Sequence, residues 1–395
     1  MAHLRFLTAG ESHGKALIGI LEGIPSGLSL ASTDIDRELR RRQMGYGRGG
    51  RMKIENDHAV ILSGVRWGMT LGSPISLSIT NRDWQNWQEG MSPEREHAGS
   101  IPAVTKPRPG HADLSGAMKY DHRDVRNILE RSSARETAMR VALGAVAKRF
   151  LAEFDILVTS YVIQIGGIRM ADGEIALFRD RLDDPSLPGE TDESPVRCPS
   201  PEHSAAMVKQ IDEALQKGDS VGGVFDVITR GVPPALGSHI QWDTRLDGRL
   251  AHAVMSIQAI KGVEIGIGFD AAEKFGSDVM DEILYSEGRG FYRETNNAGG
   301  IEGGTSNGMP LVIRAAMKPI PTLRKSLRSV EMHTKQPVDA AYERSDVCAV
   351  PAAAVIAEAM AALVVADAFI EKFGGDSLTE TRRNYDGFMD QLRTL

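Results

Sequence analysis

Gly64 to Pro74 reads GVRWGMTLGSP, with glycine at 64, 68 and 72, threonine at 70 and proline at 74. Gly300 to Pro310 reads GIEGGTSNGMP, with glycine at 300, 304 and 308, serine at 306 and proline at 310. The spacing is the same, and each ladder runs into an alternating segment, Ile75 to Thr80 and Leu311 to Ala315, that predicts a strand. Working outward, Gly23-Ile24-Pro25 and Gly231-Val232-Pro233 each end an apolar run. Each is followed by a short charged helix pattern, Asp34 to Gln43 and Trp242 to Gln258. Beyond the ladders stand Thr105-Lys106-Pro107 and Thr334-Lys335-Gln336-Pro337. Arg131-Ser132-Ser133 and Arg344-Ser345-Asp346 then precede long Ala-rich helices. One ordered set occurring twice predicts a duplicated α+β unit. The expected halves are about 1–154 and 221–373, βα-rich and packed about a pseudo-two-fold axis within one domain, 1–395.

Residues 155–220 read as an insertion between the halves. Asp183 to Pro201 is polar, holds Pro185, Pro188, Pro195, Pro199 and Pro201, and predicts a solvated surface loop. A helix follows, with Val208, Ile211 and Leu215 on one face and Gly218 as its stop. Asp124 to about Phe154 predicts a single long helix, which places Arg131 and Arg135 on one face. Val347 to Ile370 is the most apolar stretch. Interrupted by Pro351, Glu358 and Asp367, it reads as a buried last helix starting at Pro351, not a membrane span.

Composition narrows the function. A net charge of −7 argues against a general nucleic-acid binder, which is usually basic. The arginines are instead local: Arg37 to Arg51 forms an electropositive patch in an acidic body, suited to focusing anions. The 41 glycines exceed the usual ~7% share and signal tight turns. Two distant cysteines, Cys198 and Cys348, fit neither a disulfide framework nor a zinc site. They suit a reducing compartment, and MAHLRFLTAGES predicts no signal peptide.

Three runs carry candidate chemistry: GESHG (Gly10–Gly14), PRPGHADL (Pro107–Leu114) and RSSARET (Arg131–Thr137). His13 lies between small residues in a turn after a strand, Leu4 to Thr8. It reads either as a ligand-facing proton carrier or as a satisfied turn histidine. His111 follows a loop stiffened by Pro107 and Pro109. Arg40 and Arg41 are explained by the helix dipole. Arg42, Arg48 and Arg51, interleaved with glycines, suit bidentate binding of phosphate or carboxylate. Ser132 or Ser133 reads as an anion-binding hydroxyl or as an N-cap with Glu136 as its box partner. Lys318 to Thr322 is a rigid connector or a site wall. Asp346 is a site carboxylate or an N-cap paired with Arg344. No helix carries metal-ligand spacing, and no GxGxxG or P-loop supports a Rossmann-type site.

GESHG followed by GIP, LRRRQMGYGRGGRMKIE, PRPGHADL, ERSSARET, NNAGGIEGG, MKPIPT and ERSD, in this order over nearly the whole chain, resemble chorismate synthase. Met44, where a small residue is common, and the variable 170–201 segment depart from the family. The resemblance implies a β-α-β sandwich, reduced FMN as cofactor and a cytoplasmic homotetramer. It implies anti-1,4-elimination of phosphate from 5-enolpyruvylshikimate-3-phosphate to give chorismate, the last step of the shikimate pathway.

It also implies residue roles. His13 is the acid beside the leaving phosphate, and Ser12 and Ser133 assist. His111 lies near the flavin's pyrimidine side, and Asp346 relays a proton at its central ring nitrogen. FMN contacts carry over to Arg131, Ser132, Ser133, Gln258, Ala259, Gly303, Lys318, Pro319, Ile320, Pro321, Thr322 and Arg344. Arg42, Arg48, Arg51, Arg108 and Arg135 face the multiply charged substrate, and the counterparts of Arg42 and Arg48 are also linked to NADP. Two rivals remain: an RNA-binding protein using Arg40 to Arg51, and a flavin reductase consuming NADPH. The chain has no dedicated nicotinamide motif, which favours a monofunctional enzyme.

Overall fold

Alternation builds the first sheet. In strand β2 (Ala16–Glu22), Leu17, Gly19 and Leu21 are buried while Ile18 and Ile20 face outward, the period-two pattern of a half-buried strand. It pairs antiparallel with β1 (Arg5–Ala9) and with β4 (Ile75–Thr80), and β3 (Ala59–Ser63) closes the order β1-β2-β4-β3. Between them, α1 (Ser32–Gln43) follows β2. This computed structural model describes residues 4–49, 56–181, 187–341 and 346–394. After β4 come α2 (Asp113–Tyr120), α3 (Arg126–Ser132) and α4 (Thr137–Ala152).

The second sheet is built alike. It contains β5 (Leu157–Ile165), β6 (Ile168–Arg169), β7 (Gly223–Arg230), β8 (Ile260–Ile265) and β9 (Leu311–Met317), antiparallel in the order β8-β9-β7-β5-β6. The main helices of this half are α5 (Pro201–Lys217), α6 (Leu246–Met255), α7 (Val350–Phe373) and α8 (Leu378–Leu392).

Each glycine ladder makes the same turns in a short hairpin that leads into a strand of its sheet, β4 or β9. Gly64, Gly68 and Gly72 have φ of 83°, 76° and 78°, and Gly300, Gly304 and Gly308 have 78°, 86° and 89°. A Cβ on Gly64 or Gly300 would also sit 2.7 or 2.5 Å from the carbonyl oxygen of Pro74 or Pro310. Only glycine meets both demands.

Helices fill the space between the sheets, which gives the expected β-α-β sandwich. Gly19 of β2 meets Met139 of α4, where a Cβ would lie 2.5 Å from its sulfur. Gly144 of α4 crosses Ala359 of α7 so closely that a Cβ would lie 2.4 Å from the Ala359 Cβ. Gly223 of β7 backs onto Val350. Helix α7 is long and apolar enough to cross a membrane, yet 94% of its most apolar window is buried in the protein. Its one fully buried acid, Glu358, is held by Arg41 (2.7 and 3.0 Å), Lys148 (2.7 Å), Arg197 (3.2 Å) and the Ser160 hydroxyl (2.6 Å).

Several expectations need correction. The segment 155–220 does not begin as an insertion. LVTSYVIQI is strand β5, buried over most of its length, because a near-continuous apolar run suits a strand covered on both faces. Of the stretch expected as a solvated loop, 183–186 lie outside the described residues, and the rest is not such a loop: Leu187–Glu193 is a short helix, and Thr191, Val196, Arg197 and Cys198 are buried. Of the three apolar residues on α5, Ile211 is buried and Leu215 is 44% exposed. Gly218 does end the helix, at φ 68°. The long helix expected from Asp124 breaks at Ser133, whose extended backbone (ψ 142°) separates α3 from a 3₁₀ turn, Ala134–Glu136, and α4. Helix α7 carries Pro351 in its first turn but is not the last. After it, α8 packs Tyr385 and Phe388 against Phe373.

Candidate active site

The GESHG loop is the tight connection between β1 and β2, and three side chains pin it. Asn81, just past β4, donates through Nδ2 to the carbonyls of Glu11 (3.1 Å) and Gly14 (2.7 Å). Arg131 donates to the carbonyls of Gly10 (3.1 Å) and Thr8 (2.8 Å). The buried Glu130 carboxylate accepts the His13 backbone N–H at 2.8 Å and lies 2.9 Å from Nδ1 of the same residue. The Trp87 ring packs 4.3 Å from the imidazole, centroid to centroid. Burial pushes the Glu130 carboxyl up, but hydrogen bonds from His13 and the Arg126 charge hold it below the ordinary carboxylate range. The neighbouring Ser12 is buried, its N–H donating to the Glu130 carbonyl at 3.0 Å.

Asn81 also ties this loop to the arginines. Its Oδ1 accepts from Arg135 Nε at 2.9 Å, and Arg135 donates to the buried Asp57 carboxylate at 2.6 Å. Arg42, the penultimate residue of α1, lies 3.7 Å from the other Asp57 oxygen and donates to Thr137 (3.1 Å) and the Ala134 carbonyl (2.9 Å). Arg42 is pulled down to about 10, chiefly by burial and further by Arg48 and Arg135, with Asp57 and Asp346 opposing. An additional anion beside it would relieve that cost.

Past α1 the chain turns through Gly45 and Gly47 and brings Arg48 within 3.2 Å of Asp346, whose other oxygen accepts the Gly49 N–H at 2.6 Å. Asp346 is therefore not the N-cap of α7, a position held by Ala349. The helix-dipole account of Arg41 also fails, because its guanidinium is buried among Glu38, Asp192 and Glu358. Arg51 and Arg344 lie outside the described residues.

The PRPGHADL loop forms a second group. Arg108 donates to Asp113 (2.8 Å) and to the Thr322 hydroxyl (3.1 Å), and His111 Nδ1 sits 2.5 Å from Asp113. Burial pushes the Asp113 carboxyl up, yet hydrogen bonds from His111 and Arg108 hold it well below the usual range. The loop docks on the 318–322 segment, where Lys318 donates to the Gly110 carbonyl at 2.5 Å.

The residues expected to touch cofactor fall into connected places, with one exception. Ser133 caps the 3₁₀ turn by accepting from the Arg135 N–H, and Ser132 lies at the end of α3. Glu136 is no capping-box partner. Its carboxylate turns to the Thr8 hydroxyl (2.8 Å), Arg140 (2.9 Å) and Gln258 Nε2 (3.2 Å). Ala259 (φ 68°) accepts the Lys318 N–H at 2.9 Å, which links Gln258 to the 318–322 segment. The Gln258 Oε1 atom is buried and finds no hydrogen-bond partner among the described residues. Gly303 stands apart: Gly304, next to it, accepts the Leu246 N–H at the start of α6, whereas Gln258 lies past that helix's other end, roughly 15 Å away at 1.5 Å per residue. A cavity of about 590 Å³ lies between β1, α6 and α7. Arg131 and Gln258 line it, and none of the expected catalytic residues does.

Sequence reasoning passed over Glu130, Asp113, Asn81 and Asp57. The first two stood inside the quoted motifs, each close to an arginine it holds. Asn81 and Asp57 carried no motif.

Fold and site together are those of an enzyme, with two histidines gripped by buried carboxylates beside clustered guanidinium groups. Comparison makes the class particular: the chorismate synthase family model matches residues 4–370. A chorismate synthase of Geobacter sulfurreducens is 60% identical over 99% of this chain and 100% of its own length. One of Aquifex aeolicus is 57% identical over all of both chains. A crystal structure of chorismate synthase superposes with a TM-score of 0.80 at 48% identity, covering 99% of each chain. The chain belongs to the chorismate synthase family and is a lyase.

Proposed function

We propose that the enzyme converts 5-enolpyruvylshikimate-3-phosphate to chorismate by anti-1,4-elimination of phosphate, with reduced FMN bound. One residue carries this reading. Asn81 holds both the Glu11 and Gly14 carbonyls and Arg135, so it fixes the proton carrier and the cation cluster relative to each other. The substrate has two carboxylates and a phosphate. Arg42, strained by burial and neighbouring cations, supports a site that gains by receiving an anion. Arg48 and Arg135, with Arg51 and Arg108 in the same role, complete the charge balance.

In the elimination a C–O bond to phosphate and a C–H bond break. His13 supplies the proton that neutralises the departing phosphate, a contribution typically worth about 10²–10⁴-fold. Ser12, beside it, and Ser133 assist. Asp346, paired with Arg48, relays a proton, and His111 is kept in place by Asp113. The chain's residues fit FMN. Gln258 offers a buried acceptor without a partner among the described residues, and Lys318 to Thr322, Arg131, Ser132, Ala259 and Arg344 would contact the ligand. When bound, FMN supplies the electron-rich ring that the elimination requires.

Other parts of the reading rest on separate observations. Leu7, Ile18, Ile20, Val60 and Leu62 give the outer face of the first sheet exposed apolar side chains, which supports self-association into the family's homotetramer. Two buried, unpaired cysteines support a cytoplasmic setting. NADPH, linked through Arg42 and Arg48, is a possible source of reducing equivalents. The chain is read as one domain of two like units.

Anaerobic turnover with dithionite-reduced FMN, followed by chorismate absorbance, tests the reading. Activity that disappears with oxidised FMN is expected. No chorismate from folded, FMN-binding protein would overturn it, and aerobic NADPH oxidation with added FMN would then test the reductase alternative.

A further inference from the structure

A carboxylate only accepts hydrogen bonds, and Glu130 is held ionised at neutral pH by its partners. The His13 nitrogen facing it, Nδ1 at 2.9 and 3.0 Å from its two oxygens, must therefore carry a proton. The same carboxylate takes the His13 backbone N–H at 2.8 Å, and its own main-chain carbonyl takes the Ser12 N–H at 3.0 Å. One buried residue thus sets the position of the main chain and of the ring. The ring's flat face is closed by Trp87 at 4.3 Å, and Trp87 is itself fixed. Arg126 lies over the Trp87 ring at 5.0 Å, and the Trp87 Nε1–H donates to Asp83 at 3.3 Å. Asp83 stands 3.9 Å from His13 Nε2, too far for a hydrogen bond.

We infer that Glu130 is the positioning residue of His13: it keeps Nδ1 protonated, so that the proton the imidazolium gives to the substrate's leaving oxygen is the one on Nε2, and the neutral ring left behind carries its proton on Nδ1. The inference rests on the reading of His13 as the acid. A neutral ring in the other tautomer would offer its lone pair to Glu130, where no donor exists. It would also present the wrong protonation state of Nε2 at the end of each proton transfer. Wrong-tautomer histidines lose most of their catalytic value even when the geometry is intact.

The test combines nitrogen-15 histidine NMR of the full-length protein with steady-state kinetics. The His13 signal is assigned by its loss in His13→Ala. At alkaline pH the wild-type ring is expected protonated on Nδ1. In Glu130→Gln the amide oxygen keeps the backbone N–H while the amide NH₂ meets Nδ1, so the proton moves to Nε2. Turnover of that variant is expected to fall at least about tenfold, with KM changed by less than about threefold. Glu130→Asp, which keeps the charge, recovers part of kcat.

A wild-type ring protonated on Nε2, or Glu130→Gln turning over within about twofold of wild type, would overturn the inference. If Glu130→Gln does not fold, the wild-type tautomer and a kcat for Glu130→Asp at or above wild type decide in the same way. Normal turnover in His13→Ala would instead remove the acid reading, while the tautomer measurement would still judge the positioning.

Discussion

Thr70 and Ser306 perform the same task in the short hairpins of the two glycine ladders. Each hydroxyl donates at 2.7 Å to a proline carbonyl, Pro25 or Pro233. Each accepts a backbone N–H, that of Leu28 at 2.9 Å or Leu236 at 2.8 Å. Their own N–H groups donate to the Leu28 and Leu236 carbonyls, both at 2.9 Å. Both residues are buried, so neither pair of bonds can be replaced by water. Thr70→Val and Ser306→Ala each strand a buried donor and acceptor and should cost about 1–3 kcal/mol. Thr70→Ser keeps both bonds and should cost less. Urea unfolding measures all three, and a Thr70→Val loss no larger than that of Thr70→Ser would show that the hydroxyl's two bonds are not what stabilises this turn.

Gly144 sets the approach of α4 to α7. A Cβ there meets Ala359 Cβ, Cα and carbonyl oxygen at 2.4–2.9 Å, and backbone cannot rotate away as a side chain can. Gly144→Val should therefore destabilise the protein by about 1–3 kcal/mol or more. A thermal midpoint unchanged from wild type would show that the two helices separate freely.

Glu358 answers three cations, Arg41, Lys148 and Arg197. Glu358→Gln leaves them one anion short in a place closed to water, and breaking such a set typically costs about 3–5 kcal/mol. Chemical denaturation of the variant checks this. A loss below about 1 kcal/mol would mean that Glu38 and Asp192 suffice.

Asp113 carries a pH signature. Its carboxyl is held below its ordinary value in the folded protein. Its contribution is therefore complete above the unfolded value near 3.9 and is lost as pH falls through the lower folded value. The stability gap between wild type and Asp113→Asn should accordingly be flat from neutral pH down to about 5 and shrink only on further acidification. A gap that widens as pH falls below about 5 would reverse the sign and rule out the ionised Asp113–His111–Arg108 arrangement.

The arginine loop is fastened to the segment that follows it in space. The Tyr46 N–H donates to the Pro195 carbonyl at 2.7 Å, and its hydroxyl donates to Asp212 at 2.7 Å. The hydroxyl contact is exposed to solvent, so Tyr46→Phe should raise KM for the substrate by no more than about fivefold and leave kcat near wild type. A fall in kcat with constant KM would place the loop in the chemical step.

The two glycine ladders were readable because a turn with positive φ and a close carbonyl admits almost one residue type, so Gly64 and Gly300 announce geometry directly. Strand β5 was not readable as a member of the second sheet. Its apolar run has no ladder beside it, and nothing local tells a covered strand from an inserted one. The break at Ser133 was hidden because Arg-Ser-Ser-Ala-Arg satisfies helix and cap equally well. In the site, His13, His111 and the arginines stood out by residue type and small neighbours. Glu130 acts on a histidine at the other end of the first sheet's connection. Asn81 acts only because β4 ends beside the loop after β1. Such roles exist once strands are paired, and no spacing along the chain encodes them.

Helix α7 poses a problem of birth order. As it leaves the ribosome it is a 24-residue apolar segment, long enough to be mistaken for a membrane anchor. Glu358 works against that error, since an acidic residue such as Asp near the centre of an inserting helix costs about 2.5–3.5 kcal/mol. Its three cationic partners, at positions 41, 148 and 197, have all been synthesised by then. The charge that would be a burden in lipid therefore meets a prepared receptor in the folding chain, and one carboxylate both rejects the wrong solvent and completes the right core.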